Sequence, residues 1–218
     1  MKSRKKQFLV IGLGRFGSSV AVNLCQLGHE VLAVDSDQDL VDAIAPRVTQ
    51  AVCADATEEA VLQSLGPSNF DVAVVSIGQN VRDSILVSVL CKEMGVPYLV
   101  AKATDELHAK VLRKVGVDRV VFPEREMGQR VAKSMVKPNF LDMIELSGEY
   151  QMVEMTTPES WQGHTLVEMN VRRNYGVSII ALRRGERFIA SPGAEERLLA
   201  GDVLLVLGSS QALDAIER

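Results

Sequence analysis

The chain alternates short apolar runs with amphipathic segments over its first two-thirds, and this rhythm limits the available folds more than any other feature. The apolar runs indicate buried strands and the segments between them indicate helices. We place six strands at 7–12, 30–35, 51–53, 72–76, 98–101 and 119–122, and six helices at 16–27, 39–45, 58–65, 81–94, 106–114 and 124–136. Strands separated by helices pair in parallel through right-handed crossovers. The pattern predicts an α/β fold, a Rossmann-type doubly wound parallel sheet, with its ligand at the carboxyl ends of the strands.

A different pattern follows residue 138. Polar and apolar residues alternate at 151–155, which is typical of a half-exposed antiparallel strand. Further strands are expected at 177–182, 188–190 and 203–207, a hairpin turn at 183–186, and short helices at 165–169 and 211–217. We therefore predict a Rossmann domain at 1–138 and a small α+β C-terminal domain at 139–218.

Composition excludes several classes of protein. The 218 residues carry 24 basic and 28 acidic side chains, so the net charge of −4 offers no basic field to a nucleic acid. The three cysteines, Cys25, Cys53 and Cys91, form no CxxC pair, which argues against a disulfide scaffold or a zinc site. The apolar runs are interrupted by charge well before the roughly 18 residues that a membrane span needs. We expect a cytoplasmic protein without a nucleic-acid partner.

A glycine motif, G-x-G-x-x-G, directly follows the first strand and begins the first helix, at Gly12, Gly14 and Gly17. In this context the first glycine permits a tight turn, the second lets the backbone approach a pyrophosphate, and the third allows close packing of helix on strand. The helix N-terminus adds free N–H donors and partial positive charge. The motif predicts a nucleotide site.

An acidic residue, Asp35, ends the second strand, 18 positions after Gly17. A carboxylate at this place accepts hydrogen bonds from both ribose hydroxyls and repels a 2′-phosphate. We therefore expect a nucleotide with an unmodified ribose rather than NADP.

Other polar residues fall on the same rim. Arg15 suits a terminal phosphate, and Asp55 suits either an adenine or the N-cap of the next helix. Lys102 follows the fifth predicted strand, where it could contact a phosphate or be an ordinary surface lysine. Glu124 lies in the first turn of the sixth helix, where an acid interacts favourably with the helix dipole whether or not it binds a ligand. The predicted binding set is Gly12, Gly14, Arg15, Phe16, Gly17, Asp35, Ser36, Asp55, Ala56, Lys102 and Glu124.

Catalytic signatures are missing from the sequence. The three histidines, His29, His108 and His164, are scattered, and no nucleophile elbow or metal-ligand spacing occurs. With so small a second domain, this favours a binding module over an enzyme. Two alternatives stay open: an NAD(H)-dependent oxidoreductase, and a redox-sensing transcription regulator, for which we find no helix-turn-helix with a basic face.

Four motifs together carry a family resemblance: Gly-Leu-Gly-Arg-Phe-Gly at 12–17, Asp35, Asp-Ala-Thr at 55–57 and Pro-Glu-Arg-Glu-Met-Gly at 123–128. Over its whole length the chain resembles the KtrA/TrkA family, with an RCK N-terminal domain, a TrkA-C module and the length of its KtrA branch. The resemblance implies a cytosolic, non-catalytic gating subunit of a potassium uptake system. It also implies homodimers that assemble into an octameric ring on a KtrB/TrkH-like membrane subunit, with ATP and ADP favouring different ring shapes.

The same resemblance assigns roles within the site. It implies that Arg15 contacts the γ-phosphate, Asp35 the ribose and Asp55 the adenine, that Lys102 lies near the phosphates, and that Glu124 helps to hold Mg²⁺ or Ca²⁺ at a dimer interface. NAD(H) stays an alternative ligand, since TrkA proteins use the same loop for it. One residue departs from the pattern, because relatives often carry glycine where this chain has Ala54.

A second ligand, cyclic di-AMP, is implied for the C-terminal module by the same resemblance. The matching positions are Leu166, Val171, Arg172 and Pro192. The alternative is that these residues form only a dimer core with a surface arginine.

Overall fold

The computed structural model describes residues 4–136 and 140–216 and divides into two compact units, Met1–Glu124 and Arg125–Arg218. The division falls inside the last helix of the parallel-sheet pattern. The predicted domain boundary at 138/139 lies outside the described residues, and it stays a prediction. None of the described helices is long and apolar enough to cross a membrane.

The first unit contains a six-stranded parallel sheet, which confirms the predicted fold class. Its strands are β1 (Gln7–Ile11), β2 (Glu30–Asp35), β3 (Gln50–Cys53), β4 (Val72–Val75), β5 (Leu99–Lys102) and β6 (Arg119–Val121). The helices are α1 (Arg15–Gln26), α2 (Gln38–Ile44), α3 (Glu59–Ser64), α4 (Val81–Glu93), α5 (Glu106–Lys114) and α6 (Pro123–Val136). The strand order β3-β2-β1-β4-β5-β6 reverses direction between β1 and β4, where doubly wound sheets bind ligands.

Both faces of this sheet are covered, and β1 shows why its sequence is apolar throughout. Leu9 and Ile11 belong to one buried cluster, whereas Val10 belongs to a second cluster that also includes Leu13. Successive residues of a strand point to opposite faces, so a strand covered by helices on both sides must be apolar at every position.

Helix starts in this unit follow from capping residues. The side chains of Asp37, Asn80 and Asp105 accept backbone N–H bonds at the beginnings of α2, α4 and α5. At the other end of α1, Gly28 has a φ of 88°, which a glycine adopts without strain. These local signals explain why no predicted helix bound in this unit differs from the observed one by more than one residue.

The second unit is built on a five-stranded antiparallel sheet with the order β10-β9-β11-β8-β7. Its strands are β7 (Phe140–Glu145), β8 (Tyr150–Thr156), β9 (Val177–Arg184), β10 (Arg187–Ala190) and β11 (Val203–Ser209). Its helices are α7 (Leu166–Met169), α8 (Val171–Asn174) and α9 (Ser210–Ile216). The predicted helix at 211–217 ends on residue 217, which lies outside the described residues.

Three details of this unit correct the sequence prediction. The strand β7 was not expected, because a register shift between Phe140 and Asp142 interrupts the alternation that marks a strand. The helix α8 was not expected either; Asn170, with a φ of 41°, ends α7 and allows a second turn to begin. The hairpin turn is only Gly185 and Glu186, since β9 continues through Arg184.

A buried ion pair ties β9 to the segment before β11. The guanidinium of Arg184 donates from Nε to Oδ1 of Asp202 at 2.8 Å and from Nη2 to Oδ2 at 2.7 Å. The same guanidinium donates to the carbonyl of Arg197, and the N–H of Leu199 donates to Asp202. Asp202 is 1% exposed, so its charge depends on these donors. The hydrogen bonds from Arg184 hold the pKa of Asp202 below its ordinary value.

We predict that Asp202→Asn destabilises the second unit by roughly 1.5–3 kcal/mol, the usual contribution of hydrogen bonds to a charged group. Because folding lowers the pKa of Asp202, its contribution is complete above about pH 4 and is lost as the pH falls through the folded pKa. Urea unfolding followed by Trp161 fluorescence measures this, since Trp161 is the single tryptophan and is fully buried in this unit. An equal pH dependence in the variant and the wild type would contradict the prediction; Glu186→Gln in the exposed turn is the control.

Candidate functional site

A cleft of about 440 Å³ lies at the carboxyl ends of β1 to β4, within the first unit. It is lined by Ile11, Gly12, Gly14, Asp35, Ser36, Asp37, Leu40, Ala54, Asp55, Ala56, Thr57, Ser76, Ile77, Gly78, Gln79, Asn80 and Asp83. Six of these residues belong to the predicted binding set: Gly12, Gly14, Asp35, Ser36, Asp55 and Ala56. The cleft spans the point where the strand order reverses, as expected for this fold.

The three glycines of the motif have different surroundings. Gly12 has a φ of 92°, and a Cβ there would lie 2.9 Å from the carbonyl carbon of Ser76. A Cβ on Gly17 would overlap the carbonyl oxygen of Gly12. A Cβ on Gly14 would have no neighbouring atom within 4 Å. Gly12 is therefore needed where the glycine loop passes the end of β4, and Gly17 is needed where α1 packs on that loop. Gly14 leaves open space beside the cleft.

The carboxylate of Asp35 joins the end of β2 to the glycine loop. One of its oxygens accepts the N–H of Leu13 at 2.6 Å, and the other accepts the N–H of Asp37 at 2.9 Å. Each carboxylate oxygen has a further lone pair. Asp35 is thus held in place with acceptor capacity left for a ribose diol.

Asp55 orders the loop after β3 and does not cap a helix. It accepts hydrogen bonds from the hydroxyl of Thr57 at 2.6 Å and from the N–H of Thr57 at 2.9 Å. These two bonds hold the pKa of Asp55 below its ordinary value, and the bond from the hydroxyl has the larger effect. Because α3 begins at Glu59 with Glu58 as its N-cap, the capping alternative was wrong. An ionised carboxylate faces the cleft where the base of a nucleotide would lie.

Lys102 and Glu124, predicted to bind a phosphate and a cation, are bound to each other. The Nζ of Lys102 lies 2.5 Å from Oε1 of Glu124, and this bond lowers the pKa of Glu124. Lys102 is the last residue of β5, so its predicted place after the strand was wrong by one position. A Cβ on Gly78 would lie 3.2 Å from Nζ, so the ammonium is beside the loop after β4. Neither charged residue lines the cleft.

The remaining predicted residues lie at the start of α1. Arg15 is its first residue and is exposed, Phe16 is half-buried and Gly17 is buried. None of the three lines the cleft. Arg15 is therefore a rim residue, whose side chain would have to reach a phosphate from outside the cleft.

Sequence reasoning missed the loop after β4, residues 76–80, which we call the β4 loop. It lines the cleft opposite the glycine loop, and Asp83 of α4 extends the same wall. Asn80 begins α4 by accepting the N–H groups of Arg82 at 3.0 Å and Asp83 at 3.3 Å. The signal was available, because β1 and β4 flank the reversal point in this fold and the loop after each of them must meet the ligand.

The four C-terminal positions matched by the family resemblance all lie in the second unit. Leu166 begins α7 and Arg172 is exposed on α8, while Pro192 lies between β10 and β11. Val171 is 8% exposed and belongs to the unit's own core. Its side chain thus serves the core of a single chain, and the second ligand site stays a prediction.

Comparisons with known proteins agree with this geometry. The TrkA-N domain model matches residues 8–123, and the TrkA-C domain model matches residues 151–218. The Ktr system potassium uptake protein C of Bacillus subtilis (strain 168) is 43% identical over 214 residues, which cover 98% of this chain and 97% of that protein. The Ktr system potassium uptake protein A of the same organism is 41% identical over 215 residues, 99% and 97% of the two chains.

The chain belongs to the KtrA/TrkA family of potassium uptake proteins. This confirms the family resemblance and the fold it implied. The solved structure of the GsuK channel bound to NAD superposes with a TM-score of 0.66 and covers the whole chain at 19% identity. Since this chain spans 40% of that GsuK chain, the likeness shows the fold alone.

The residues that could hold a metal ion in this family member are few. Within residues 4–136 and 140–216, no group of three His, Cys, Asp or Glu side chains is arranged around a common point. Glu124 would offer a single ligand, and only after releasing Lys102. The predicted role of Glu124 toward Mg²⁺ or Ca²⁺ stays a prediction.

We predict opposite outcomes for two alanine substitutions in the glycine motif of this KtrA/TrkA family member. Gly17→Ala places a methyl group against the carbonyl of Gly12, so it should lower the melting temperature. Gly14→Ala meets no atom of the protein, so the melting temperature should change little while nucleotide binding weakens about tenfold or more. Thermal unfolding and calorimetry with a nucleotide measure both effects. Unimpaired nucleotide binding by Gly14→Ala would contradict the proposed approach of phosphate to this loop.

Proposed function

We propose that the chain is a non-catalytic, nucleotide-sensing regulatory subunit of a potassium uptake system. The observation that carries this proposal is the cleft at the reversal point of the parallel sheet, with the glycine loop on one side and Asp35 at its base. The full-length similarity to Ktr potassium uptake proteins supplies the physiological setting. The described residues that line the cleft include no histidine, the commonest general acid or base in enzymes, and no cysteine.

ATP and ADP are the ligands that we propose first. The base would lie near Asp55, the ribose on Asp35 and the phosphates at the glycine loop, in the order of the strands that carry these residues. Arg15, at the start of α1, would meet the γ-phosphate from the rim. NAD(H) is the second candidate, because the β4 loop and Asp83 also line the cleft, on the side of the glycine loop away from Asp35, where a second nucleoside would lie.

Nucleotide sensing requires a difference in affinity between two states of the protein. A ligand shifts a conformational equilibrium only by binding one state better than the other. ATP and ADP differ by one phosphate, so the residues that touch that phosphate must carry the difference. We propose Arg15 for this role, with a divalent cation, Mg²⁺ or Ca²⁺, at Glu124 once Lys102 has turned toward the phosphates.

The assembly that we propose follows the family. Residues 1–138 would form the sensing RCK domain, and 139–218 the TrkA-C domain, with a cyclic di-AMP site at Leu166, Val171, Arg172 and Pro192 as a further proposal. Homodimers would build an octameric ring on the cytoplasmic face of a potassium-translocating KtrB/TrkH-like membrane subunit.

Thermal unfolding of the purified chain with ATP, ADP, NADH or cyclic di-AMP, with and without Mg²⁺ or Ca²⁺, tests this proposal. A ligand at 100 times its dissociation constant stabilises by about 2.7 kcal/mol, which raises the melting temperature by roughly 5–10 °C for a chain of this size. The largest shift is expected with ATP and a divalent cation. Absence of any shift with adenine nucleotides would refute the sensing function, and a shift with NADH alone would favour the second ligand.

We predict that Arg15→Ala weakens ATP binding about 10- to 100-fold while ADP binding changes little, since one charge-assisted contact is lost only with ATP. Titration calorimetry of both nucleotides gives the ratio of their affinities. Arg113→Ala is a matched control, because Arg113 is equally exposed but lies in the last turn of α5, away from the cleft. Equal loss of ATP and ADP affinity in Arg15→Ala would exclude the γ-phosphate role.

A further inference from the structure

The cleft has an unusual charge for a site that is proposed to bind phosphates. Four of its lining residues are carboxylates, and no lysine or arginine is among the described residues that line it. The carboxylates are Asp35, Asp37, Asp55 and Asp83. Phosphate charge in the cleft must therefore be balanced by backbone N–H groups, by rim residues or by cations from solution.

Asp83 differs from the other three carboxylates. Asp35, Asp37 and Asp55 each accept a backbone N–H within 2.9 Å, so these side chains serve the fold of their own loops. The carboxylate of Asp83 has no hydrogen bond or ion pair within the described part of the chain, although it is half-buried in the cleft wall. This carboxylate therefore borders whatever occupies this end of the cleft.

The strand order locates the part of the ligand that Asp83 meets. Asp55 follows β3, Asp35 ends β2 and the glycine loop follows β1, so base, ribose and phosphates take these positions in turn. Asp83 lies on α4, beyond the β4 loop and across the glycine loop from Asp35. The group next to Asp83 is therefore the one that follows the phosphates held at the glycine loop: the γ-phosphate of ATP, or the second ribose of a dinucleotide.

While Lys102 stays bound to Glu124, its ammonium does not cancel the charge of Asp83. Lys102 lies behind Gly78 of the β4 loop, but its ammonium is bound to Glu124. At this end of the cleft the other lining groups, the amides of Gln79 and Asn80, are neutral. A negative group placed beside Asp83 is repelled in a partly buried setting, where charge interactions are only weakly screened.

We infer that Asp83 is a specificity-determining residue that disfavours a terminal phosphate, so that it sets the ATP/ADP affinity ratio in opposition to Arg15. The inference rests on the proposed nucleotide-sensing function and deepens it. A sensor whose two ligands differ by one phosphate needs comparable affinities for both, because a site that strongly prefers ATP stays occupied by ATP whatever the ratio of the two. Repulsion by Asp83 keeps ADP competitive.

Asp83 also occupies the first turn of α4, where an acid favours the helix dipole. A matched control separates this structural role from discrimination between ligands. Asp39 is likewise the first-turn acid of α2 but does not line the cleft. Asp39→Asn and Asp83→Asn should cause similarly small losses of melting temperature, and only the second should change the ligand preference.

The experiment measures dissociation constants of ATP, ADP and NADH by calorimetry in EDTA, for wild type, Asp83→Asn, Asp83→Glu and Asp39→Asn. We expect Asp83→Asn to bind ATP at least about fivefold more tightly than wild type does, because only ATP places a further phosphate beside residue 83. The gain in ADP affinity should be smaller, and NADH should bind no more tightly than it does to wild type. Asp83→Glu, which retains the charge, should keep an ATP/ADP ratio close to that of wild type.

The outcomes of this experiment distinguish a failure of the role of Asp83 from a failure of the proposed nucleotide-sensing function. A wild-type chain that binds none of the three nucleotides would refute the proposed function. If wild type binds but Asp83→Asn leaves the ATP/ADP ratio unchanged, or weakens ATP, the role of Asp83 is wrong while nucleotide sensing stands. An equal gain for all three nucleotides would likewise overturn it, because that result indicates a loosened cleft rather than relief of charge repulsion.

Discussion

The contact between Gly17 and the carbonyl of Gly12 is the constraint on which the first unit depends. It lets α1 approach the end of β1 so closely that no side chain fits between them. The start of α1 is thereby fixed beside the reversal point of the sheet, where Gly14, its N-cap, lines the cleft. Asp35 adds a second tie by accepting the N–H of Leu13 from the same loop. The glycine loop and Asp35, for which we propose the phosphates and the ribose, are thus held together by these two contacts.

The parallel-sheet unit could be predicted almost completely because its signals are local. Buried strands are continuous apolar runs, and helices such as α4 begin at residues like Asn80 that cap them. The antiparallel unit was harder, since its pairings join residues distant in sequence. A register shift in β7 removed the alternation that would have revealed it, and only the partner strand β8 defines that edge of the sheet.

Lining residues of the cleft could be predicted where a sequence motif specifies them, and they were missed where the order of the strands in the sheet brings them to the cleft. Gly12, Gly14 and Asp35, which were predicted from the motif itself, line the cleft, and their ligand roles stay predictions. The β4 loop and Asp83 were not predicted, because a wall opposite the glycine loop is assembled from another strand. Lys102 and Glu124 were assigned to different ligands. They are 22 positions apart in the sequence, yet in the structure they form an ion pair with a distance of 2.5 Å from Nζ to Oε1. The two charges are visible in the sequence, but their pairing depends on how β5 and α6 come together in the fold.

That ion pair gives the chain a route from the cleft to α6. Lys102 ends β5 beside Gly78 of the β4 loop, and Glu124 lies in the first turn of α6, the helix in which the first unit ends. In the proposed nucleotide complex, a phosphate near the β4 loop would compete with Glu124 for the ammonium of Lys102, and the exposed carboxylate of Glu124 would then lose this cation. On this proposal, occupancy of the cleft and the charge at the start of α6 are coupled through one lysine.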